Sequence, residues 1–306
     1  MDLRRLTCFL AVAEELNFSR AAQRLHMSQP PLSQQIRLLE QEMGAQLFER
    51  SRRTVSLTPA GLLLQDKARQ IVELHQQAGE LCRMAASGLA GRLRIAFTAS
   101  VPLFEAFSRM LGDFRQRYPQ VELDLQHMTT GEQIAALTSG QIDIGFMRPS
   151  PAFRIPVPIR EHTLWRDELM LALPRSHPQA GAPAPLPLSQ FADQTFVLHP
   201  AVLGGGLHEH ILALCSEAGF VPRIAQPARE TSTMLALVAA GLGLSVVPSI
   251  YACICPPGVV FKPLADASRH SRIALVSMQS SQTSASACVP LFWQSVTSRE
   301  AAQTLG

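Results

Sequence analysis

The 306-residue chain lacks any apolar run of the roughly 18 residues that a membrane-spanning helix needs. Its first twenty residues place Arg4 and Arg5 before an apolar stretch, as a secretory signal does. Glu14 and Glu15 interrupt that stretch, and no small-residue cleavage site follows. We therefore expect an amphipathic helix of the mature protein, a cytoplasmic location and no membrane partner.

The sequence also lacks the short motifs that mark common α/β enzymes. It contains no G-x-S-x-G nucleophile elbow, no Walker phosphate loop and no G-x-G-x-x-G after a predicted strand. The glycines of GLGLS, residues 241–245, precede a predicted strand rather than follow one. We therefore expect a protein that is not an enzyme and that uses no cofactor.

Cysteine is sparse, with six residues scattered at positions 8, 82, 215, 253, 255 and 288. In a cytosolic chain such cysteines are most often reduced thiols. Cys253 and Cys255 form a C-x-C pair, but no further ligands lie close by at suitable spacing. His208 and His210 alternate along a predicted helix, so they do not share a face. The sequence thus predicts no metal site. A redox sensor that used the Cys215 thiol would need a second, paired cysteine, and none is obvious nearby in sequence.

Lysine is nearly absent, with Lys67 and Lys262 as its two occurrences, so the use of arginine at a site carries little information. Residues 1–58 hold eight arginines against six acidic residues, a net charge of +2. Three of these arginines crowd into ERSRRTV, residues 49–55. Most such clusters are solvated turns, and a phosphate-binding surface is the functional alternative.

Three helices are predicted in this basic N-terminal segment. Apolar residues at positions 3, 6, 10 and 13 predict a helix from about Leu3 to Leu16, and a short one follows from Ser19 to Leu25. The third begins in SQPPLSQQIRLLEQEMG, where Ser28 is a candidate N-cap whose hydroxyl accepts from a first-turn amide. Pro30 and Pro31 fall in the first turn, where a missing N–H leaves no bond unmade. Gly44 ends the helix.

The third helix has a predicted apolar stripe, formed by Leu32, Ile36, Leu39 and Met43. Its polar residues point the other way, and Gln, Ser and Arg are side chains that read base edges in the DNA major groove. A small helical bundle with a solvated face would show the same periodicity. Residues 47–61, LFERSRRTVSLTPAG, predict two short strands around an arginine-rich turn, which is the pattern of a wing.

The run from Asn17 to Gly61 closely resembles the winged helix-turn-helix of LysR-type transcriptional regulators, over about 60 residues in all. The resemblance implies that this module contacts double-stranded DNA through its third helix and its wing. Gln34 stands where relatives often have arginine. The candidate DNA-binding residues are Ser28, Gln29, Pro30, Pro31, Ser33, Gln34, Arg37, Arg52 and Arg53.

A long helix is predicted from Pro59 to Ser87, because only Gly61 and Gly79 weaken the helical pattern. Apolar residues at positions 64, 71, 74, 78, 81 and 85 follow the three-four spacing of a helix-pair seam. One amphipathic helix lying on its own domain is the alternative. The resemblance implies a dimerisation helix, a homodimer or homotetramer, and a hinge at GLAG, residues 88–91.

From Arg92 onward predicted strands alternate with helices, which favours an α/β fold with a parallel, doubly wound sheet. The resemblance implies two α/β subdomains hinged like a periplasmic binding protein, with a ligand between them. We expect a DNA-binding domain over residues 1–58, a linker over 59–91 and a regulatory domain over 92–306. Within the last, we expect subdomain I at about 92–163 and 268–306, and subdomain II at about 164–267.

Ligands of open α/β sheets bind beyond the carboxyl ends of the strands. Hydroxyls, helix N-termini and an arginine at such ends favour an anion. The resemblance is greatest to the branch that senses aromatic-catabolism intermediates, so we expect an aromatic or dicarboxylate effector. The candidate effector-binding residues are Ser100, Thr129, Thr130, Arg148, Pro200, Val202 and Gly205.

The sequence therefore predicts a transcriptional regulator whose partners are DNA, a small effector, further copies of itself and RNA polymerase. Three alternatives are an α/β enzyme, a solute-binding protein fused to a helical adaptor, and a thiol-based redox regulator of the same fold. The missing catalytic motifs count against the first, and the interrupted N-terminal stretch and the arginine-rich wing count against the second.

Overall fold

The computed structural model describes residues 2–50, 54–201, 206–279 and 287–303, with side chains described through residue 298. The chain divides into two compact units, Met1–Met84 and Ala85–Gly306. In the described part of the chain, no helix combines the length and apolarity that crossing a bilayer requires. The helices are α1 Leu3–Glu15, α2 Phe18–Arg24, α3 Gln29–Met43, α4 Pro59–Ala86, α5 Glu105–Arg117, α6 Thr130–Thr138, α7 Leu207–Glu217, α8 Thr231–Ala239 and α9 Val289–Gln303.

Eleven strands are described, together with several short 3-10 helices. The strands are β1 Phe48–Arg50, β2 Val55–Leu57, β3 Ala90–Phe97, β4 Gln120–His127, β5 Ile144–Met147, β6 Ile159–Pro174, β7 Thr195–Leu198, β8 Arg223–Pro227, β9 Ser245–Pro248, β10 Val259–Pro263 and β11 His270–Met278.

The first unit is built on the mutual packing of α1, α2 and α3, as the sequence predicted. Leu32, Ile36 and Leu39 of α3 are fully buried, and each such side chain stabilises the unit by about 1.5–3 kcal/mol. Met43, the fourth residue of the predicted stripe, is 37% exposed, so the stripe is one residue shorter than expected. Small Ala21 and other α2 residues complete the contact with the neighbouring helices.

The buried carboxylate of Glu40 fastens the wing to α3. It accepts hydrogen bonds from the backbone N–H groups of Leu47, at 3.0 Å, and Phe48, at 3.3 Å. It also pairs with Arg50 at 3.3 Å. The predicted strands β1 and β2 pair antiparallel, with Phe48 opposite Leu57. The orientation of the wing therefore follows from α3, the helix on which it is anchored.

The long helix α4 is present, but its apolar residues divide into two groups. Leu64 and Ile71, which the sequence placed on a seam for a second chain, pack instead against the core of their own unit. Leu74 and Leu81 are 63% and 50% exposed. Ala90 and Gly91, which were predicted to belong to a hinge at residues 88–91, already lie in β3.

The second unit is organised around a seven-stranded mixed sheet, in the order β10-β6-β11-β5-β3-β4, with β9 also paired to β6. The predicted parallel pairing holds for β3 with β4 and β5, the strands joined by helices. It does not hold throughout, because β6 and β11 run antiparallel to their neighbours. The long strand β6 joins the two halves of the sheet, because its residues 159–168 pair with β11 and its residues 169–174 pair with β9 and β10. The edge strand β10 was not predicted.

Candidate nucleic-acid interface and ligand cavity

The N-terminus of α3 differs from expectation in one hydrogen bond. Ser28 is the N-cap residue, but its side chain makes no capping hydrogen bond. A capping hydroxyl accepts from the second or third residue of the helix. Those positions are Pro30 and Pro31, which have no N–H to donate. The hydroxyl of Ser28 is thus left exposed, and the prolines still start the helix with their fixed backbone angle.

Nearly all of the predicted DNA-contact residues on α3 lie on its exposed face. The exposed ones are Ser28, Gln29, Pro30, Pro31, Gln34 and Arg37, while Ser33 is half-buried. The opposite face carries Leu32 and Ile36, both fully buried. The core of the first unit therefore fixes the helix so that its polar residues face outward. Arg52 and Arg53, predicted at the wing tip, lie outside the described residues.

Most cations near α3 are already paired with acidic side chains, whereas Arg37 is not. Arg24 binds Glu14 at 2.7 Å, and Arg5 binds Glu42 at 2.9 Å. Arg37 makes no ion pair with a described residue and lies in the middle of the exposed face. Its charge is available to an anionic partner such as a phosphate.

A residue that the sequence reasoning missed extends this face onto α2. The Ser19 hydroxyl donates to the side-chain oxygen of Gln29 at 3.1 Å, so the starts of α2 and α3 meet. Asn17 caps α2 by accepting from the backbone of Ser19 and Arg20. The N-termini of two helices thus lie side by side, and their positive ends favour an anion.

The second unit contains a cavity of about 250 Å³ at the carboxyl ends of β3 and β5. Of the residues predicted to bind an effector, Ser100, Thr129, Thr130 and Arg148 line it together. Pro200 is described but does not line it. Val202 and Gly205 lie outside the described residues.

Three helices begin at the wall of this cavity. Their first residues, Thr130 of α6, Leu207 of α7 and Thr231 of α8, all line it. The first turn of a helix has backbone N–H groups without helical partners, and the summed peptide dipoles give it about half a positive charge. The three N-termini make the cavity suited to an anion.

Arg148 is held by a buried polar network rather than being free in the cavity. Its guanidinium pairs with Asp167 at 3.0 Å and donates to the hydroxyls of Ser100, at 3.1 Å, and Ser271, at 2.8 Å. Asp167 also accepts from the Ser249 hydroxyl. Burial lowers the pKa of Arg148, and the nearby Asp167 carboxylate opposes that shift. The positive charge that was expected to hold a ligand carboxylate is thus already balanced within the protein.

Several lining residues were not predicted from the sequence. Glu132 accepts from the Thr129 backbone at 2.7 Å in a capping box, and this hydrogen bond lowers its pKa. Glu209 accepts in the same way from the Gly206 backbone at 2.8 Å. The spacing T-x-x-E at 129–132 is a capping signal that would have identified the first. The remaining unpredicted charged, histidine and tyrosine residues are His127, His199, His208, Arg229, Glu230 and Tyr251.

Three buried polar atoms at the cavity wall have no hydrogen-bond partner among the described residues. They are Oγ1 of Thr98, Nδ1 of His199 and Nδ1 of His208, and the His208 residue is almost wholly buried. Buried polar groups in native proteins are nearly always hydrogen-bonded, and leaving one unmade costs about 1–3 kcal/mol. A polar ligand in the cavity would provide the missing partners.

Cys215 does not have the environment of a redox-sensing thiol. Cys215 is completely buried, and that burial raises the pKa of its thiol to about 12. A thiol that stays protonated at neutral pH is a poor nucleophile and a poor redox sensor. Cys253 and Cys255 are exposed, and the described residues include no cluster of three or more potential metal ligands.

Comparisons with known proteins agree with this architecture. Residues 3–62 match the family model "Bacterial regulatory helix-turn-helix protein, lysR family", and residues 86–299 match "LysR substrate binding domain". The chain is 39% identical to the uncharacterized HTH-type transcriptional regulator YnfL of Escherichia coli K12, covering 90% of this chain and 92% of YnfL. It is 38% identical to the HTH-type transcriptional regulator BudR of Raoultella terrigena, covering 90% and 94%.

A solved structure of full-length CbnR complexed with its target DNA is also similar. The TM-score is 0.76 at 32% identity, with 97% of this chain and 99% of that chain covered.

Proposed function

The chain belongs to the lysR family of bacterial DNA-binding transcriptional regulators, and from this premise we propose how its parts divide the work. Residues 1–58 bind DNA, residues 59–91 join the copies, and residues 92–306 bind a small effector that controls the outcome. The exposed polar face of α3 carries this proposal. Its glutamines and Arg37 face outward from a buried core, as major-groove reading requires.

On DNA, we propose that Gln29 and Gln34 contact base edges, that Arg37 contacts the backbone, and that Arg52 and Arg53 of the wing reach phosphates or the minor groove. Glutamine presents a donor and an acceptor side by side, which suits adenine in the major groove. Arginine without an intramolecular partner suits a phosphate. Ser28, Ser33 and the two prolines between them complete the face.

We propose that the protein acts as a homodimer or homotetramer, with α4 as one joining element. The exposed leucines of α4 support this, because Leu62, Leu63, Leu74 and Leu81 are each at least half exposed. Two copies related by a two-fold axis would read a two-fold-related site. Since its target is chromosomal DNA, we place the protein in the cytoplasm, with RNA polymerase as a further partner.

The effector is proposed to be a small anion bound in the cavity of the second unit. The three helix N-termini and the unpartnered atoms of Thr98 and His208 support an anion there. The aromatic-catabolism branch supplies the first compounds to screen, aromatic acids and dicarboxylates. Effector binding would shift the population between two arrangements of the oligomer on DNA, which requires a preference for one of them.

A DNase footprint on the intergenic DNA beside the gene tests the proposal. Gln29→Ala should alter the protected sequence preference by about 1–3 kcal/mol at one base position. Arg37→Ala should weaken binding similarly for all sequences and reduce the slope of log affinity against log salt by about 1. Arg109→Ala, an exposed arginine of the second unit, is the matched control. Protection that is indifferent to both α3 substitutions would contradict the proposed interface.

A further inference from the structure

We infer that the effector is a compact monocarboxylate and that the acidic residues of the cavity itself reject a ligand with a second carboxylate. This inference rests on the proposed function, because it assumes that the cavity is the effector site. It narrows the aromatic and dicarboxylate anions that the sequence suggested to those with one negative charge. The argument depends on the balance of charges around the cavity and on its size.

The charges around the cavity sum to a negative value. The lining carboxylates are those of Glu132, Glu209 and Glu230, and the lining cations are Arg148 and Arg229. Asp167 lies behind the wall and already cancels the charge of Arg148 at 3.0 Å. Among the arginines and carboxylates, two cations face four carboxylates.

The attractive groups suffice for one carboxylate. The N-termini of α6, α7 and α8 each contribute about half a positive charge at the wall. Glu132 and Glu209 already occupy part of the first turns of α6 and α7 as caps. The N-cap residue of α8, Glu230, makes no capping hydrogen bond with its side chain, so the first amides of α8 stay available. Nδ1 of His208 and the hydroxyl of Thr98 are further hydrogen-bonding groups for that carboxylate.

A second carboxylate would find no comparable site within the described residues. The cavity of about 250 Å³ is below the range of about 300–1,000 Å³ that holds drug-sized ligands, so both ends of a diacid stay near the wall. Arg229 is the lining cation without an ion pair to a described residue. It is exposed to solvent, as are Glu132 and Glu230, so screening weakens attraction and repulsion alike and the excess of carboxylates decides the sign. A second carboxylate near the wall would meet more lining carboxylates than lining cations. Repulsion at a few ångströms in a partly shielded site corresponds to about tenfold or more in affinity.

Matched acid pairs test the inference on the full-length protein at pH 7.5 by isothermal titration calorimetry. The first pair is hexa-2,4-dienoate and hexa-2,4-dienedioate, and the second is benzoate and isophthalate. We expect the monoacid to bind at least tenfold more tightly in at least one pair. Glu230→Gln should reduce that difference several-fold by removing a repulsive charge. Glu217→Gln, an exposed glutamate of α7 that does not line the cavity, should leave the difference unchanged.

Equal or tighter binding of both diacids would overturn the inference, as would a preference that Glu230→Gln leaves untouched. Binding of none of the four acids would overturn it as well. The DNase footprint, run on the same preparations, separates this failure from failure of the proposed function. An intact footprint with no carboxylate binding rejects the ligand class alone, whereas loss of specific protection rejects the regulator. Thermal unfolding of Glu230→Gln verifies that the variant is folded.

Discussion

Breaking the buried ion pair beside the cavity tests whether Arg148 has a structural role. The substitution Asp167→Ala removes the carboxylate and leaves the guanidinium of Arg148 in place. The two side chains are 4% and 3% exposed, so water cannot replace the lost partner. Removing one member of a buried pair costs about 3–5 kcal/mol, because the remaining charge is left uncompensated. The Ser249 hydroxyl loses its acceptor at the same time.

Asp124→Ala is the matched control. Asp124 pairs with Arg92 at 2.7 Å, but that arginine is 58% exposed and can be hydrated when its partner is removed. An exposed pair contributes about 0–1 kcal/mol, so the control should lose far less stability. The double variant Arg148→Met with Asp167→Leu should recover much of the loss, since an apolar pair of similar volume replaces two buried charges.

Urea unfolding followed by tryptophan fluorescence measures the free energy of unfolding of the second unit, to which both Asp167 and Asp124 belong. The only tryptophans of the chain, Trp165 and Trp293, both belong to the second unit, so their emission reports its unfolding alone. Protein concentration is held fixed, because an oligomer is stabilised by mass action. If Asp167→Ala lowers the free energy of unfolding no more than Asp124→Ala does, the Arg148–Asp167 pair does not stabilise the cavity wall. Arg148 is then again a candidate for direct ligand binding.

Four further variants or measurements probe other parts of the chain. Gly61→Ala should destabilise the first unit by about 1–3 kcal/mol, because its Cβ would lie 2.2 Å from a backbone carbonyl oxygen. Gly79→Ala, whose Cβ meets only the end of an arginine at 3.7 Å, should stabilise α4 by up to about 1 kcal/mol. Burial lowers the pKa of His199, so the unfolded chain binds a proton more readily and stability is lost as pH falls below about 6.5. His199→Asn should reduce the dependence of the urea unfolding midpoint on pH. An unchanged slope of midpoint against pH would contradict this. In the native protein, iodoacetamide should label Cys253 while Cys215 stays unmodified by mass spectrometry, and early labelling of Cys215 would revive the redox alternative.

The helices of the first unit were predictable because their signals are local. Apolar residues three and four positions apart identify α1 and α3, and Gly44 ends α3 with a positive φ of 66°. The capping hydrogen bond of Ser28 was predicted wrongly although the sequence contained the answer, since both candidate donors are proline. The division of the α4 leucines was not predictable, because a helix pattern shows that a face is apolar without showing what covers it.

The candidate cavity was predictable in part, because some of its residues are also identified by local sequence signals. Ser100, Thr129, Thr130 and Arg148 follow strands, and the rule that ligands lie beyond strand ends gathers them without any knowledge of register. His208 and Glu230 come from the other half of the unit, and no local sequence pattern indicates that their helices begin at the same cavity. Convergence of this kind depends on how two halves of a sheet are joined.

The contacts of Arg148 could not be predicted from local sequence, because they depend on the pairing of distant strands. Asp167 and Ser271, which both bind the guanidinium, are directly opposite each other on β6 and β11, although 104 positions separate them in sequence. That register is set by antiparallel pairing along two long strands, with an irregularity between Ile273 and Ala274. A shift of β6 by one residue would turn Asp167 to the other face of the sheet and leave the arginine buried without a counter-charge. The requirement to neutralise Arg148 therefore favours one register of β6 against β11, which links the charge balance of the cavity to the folding of the sheet.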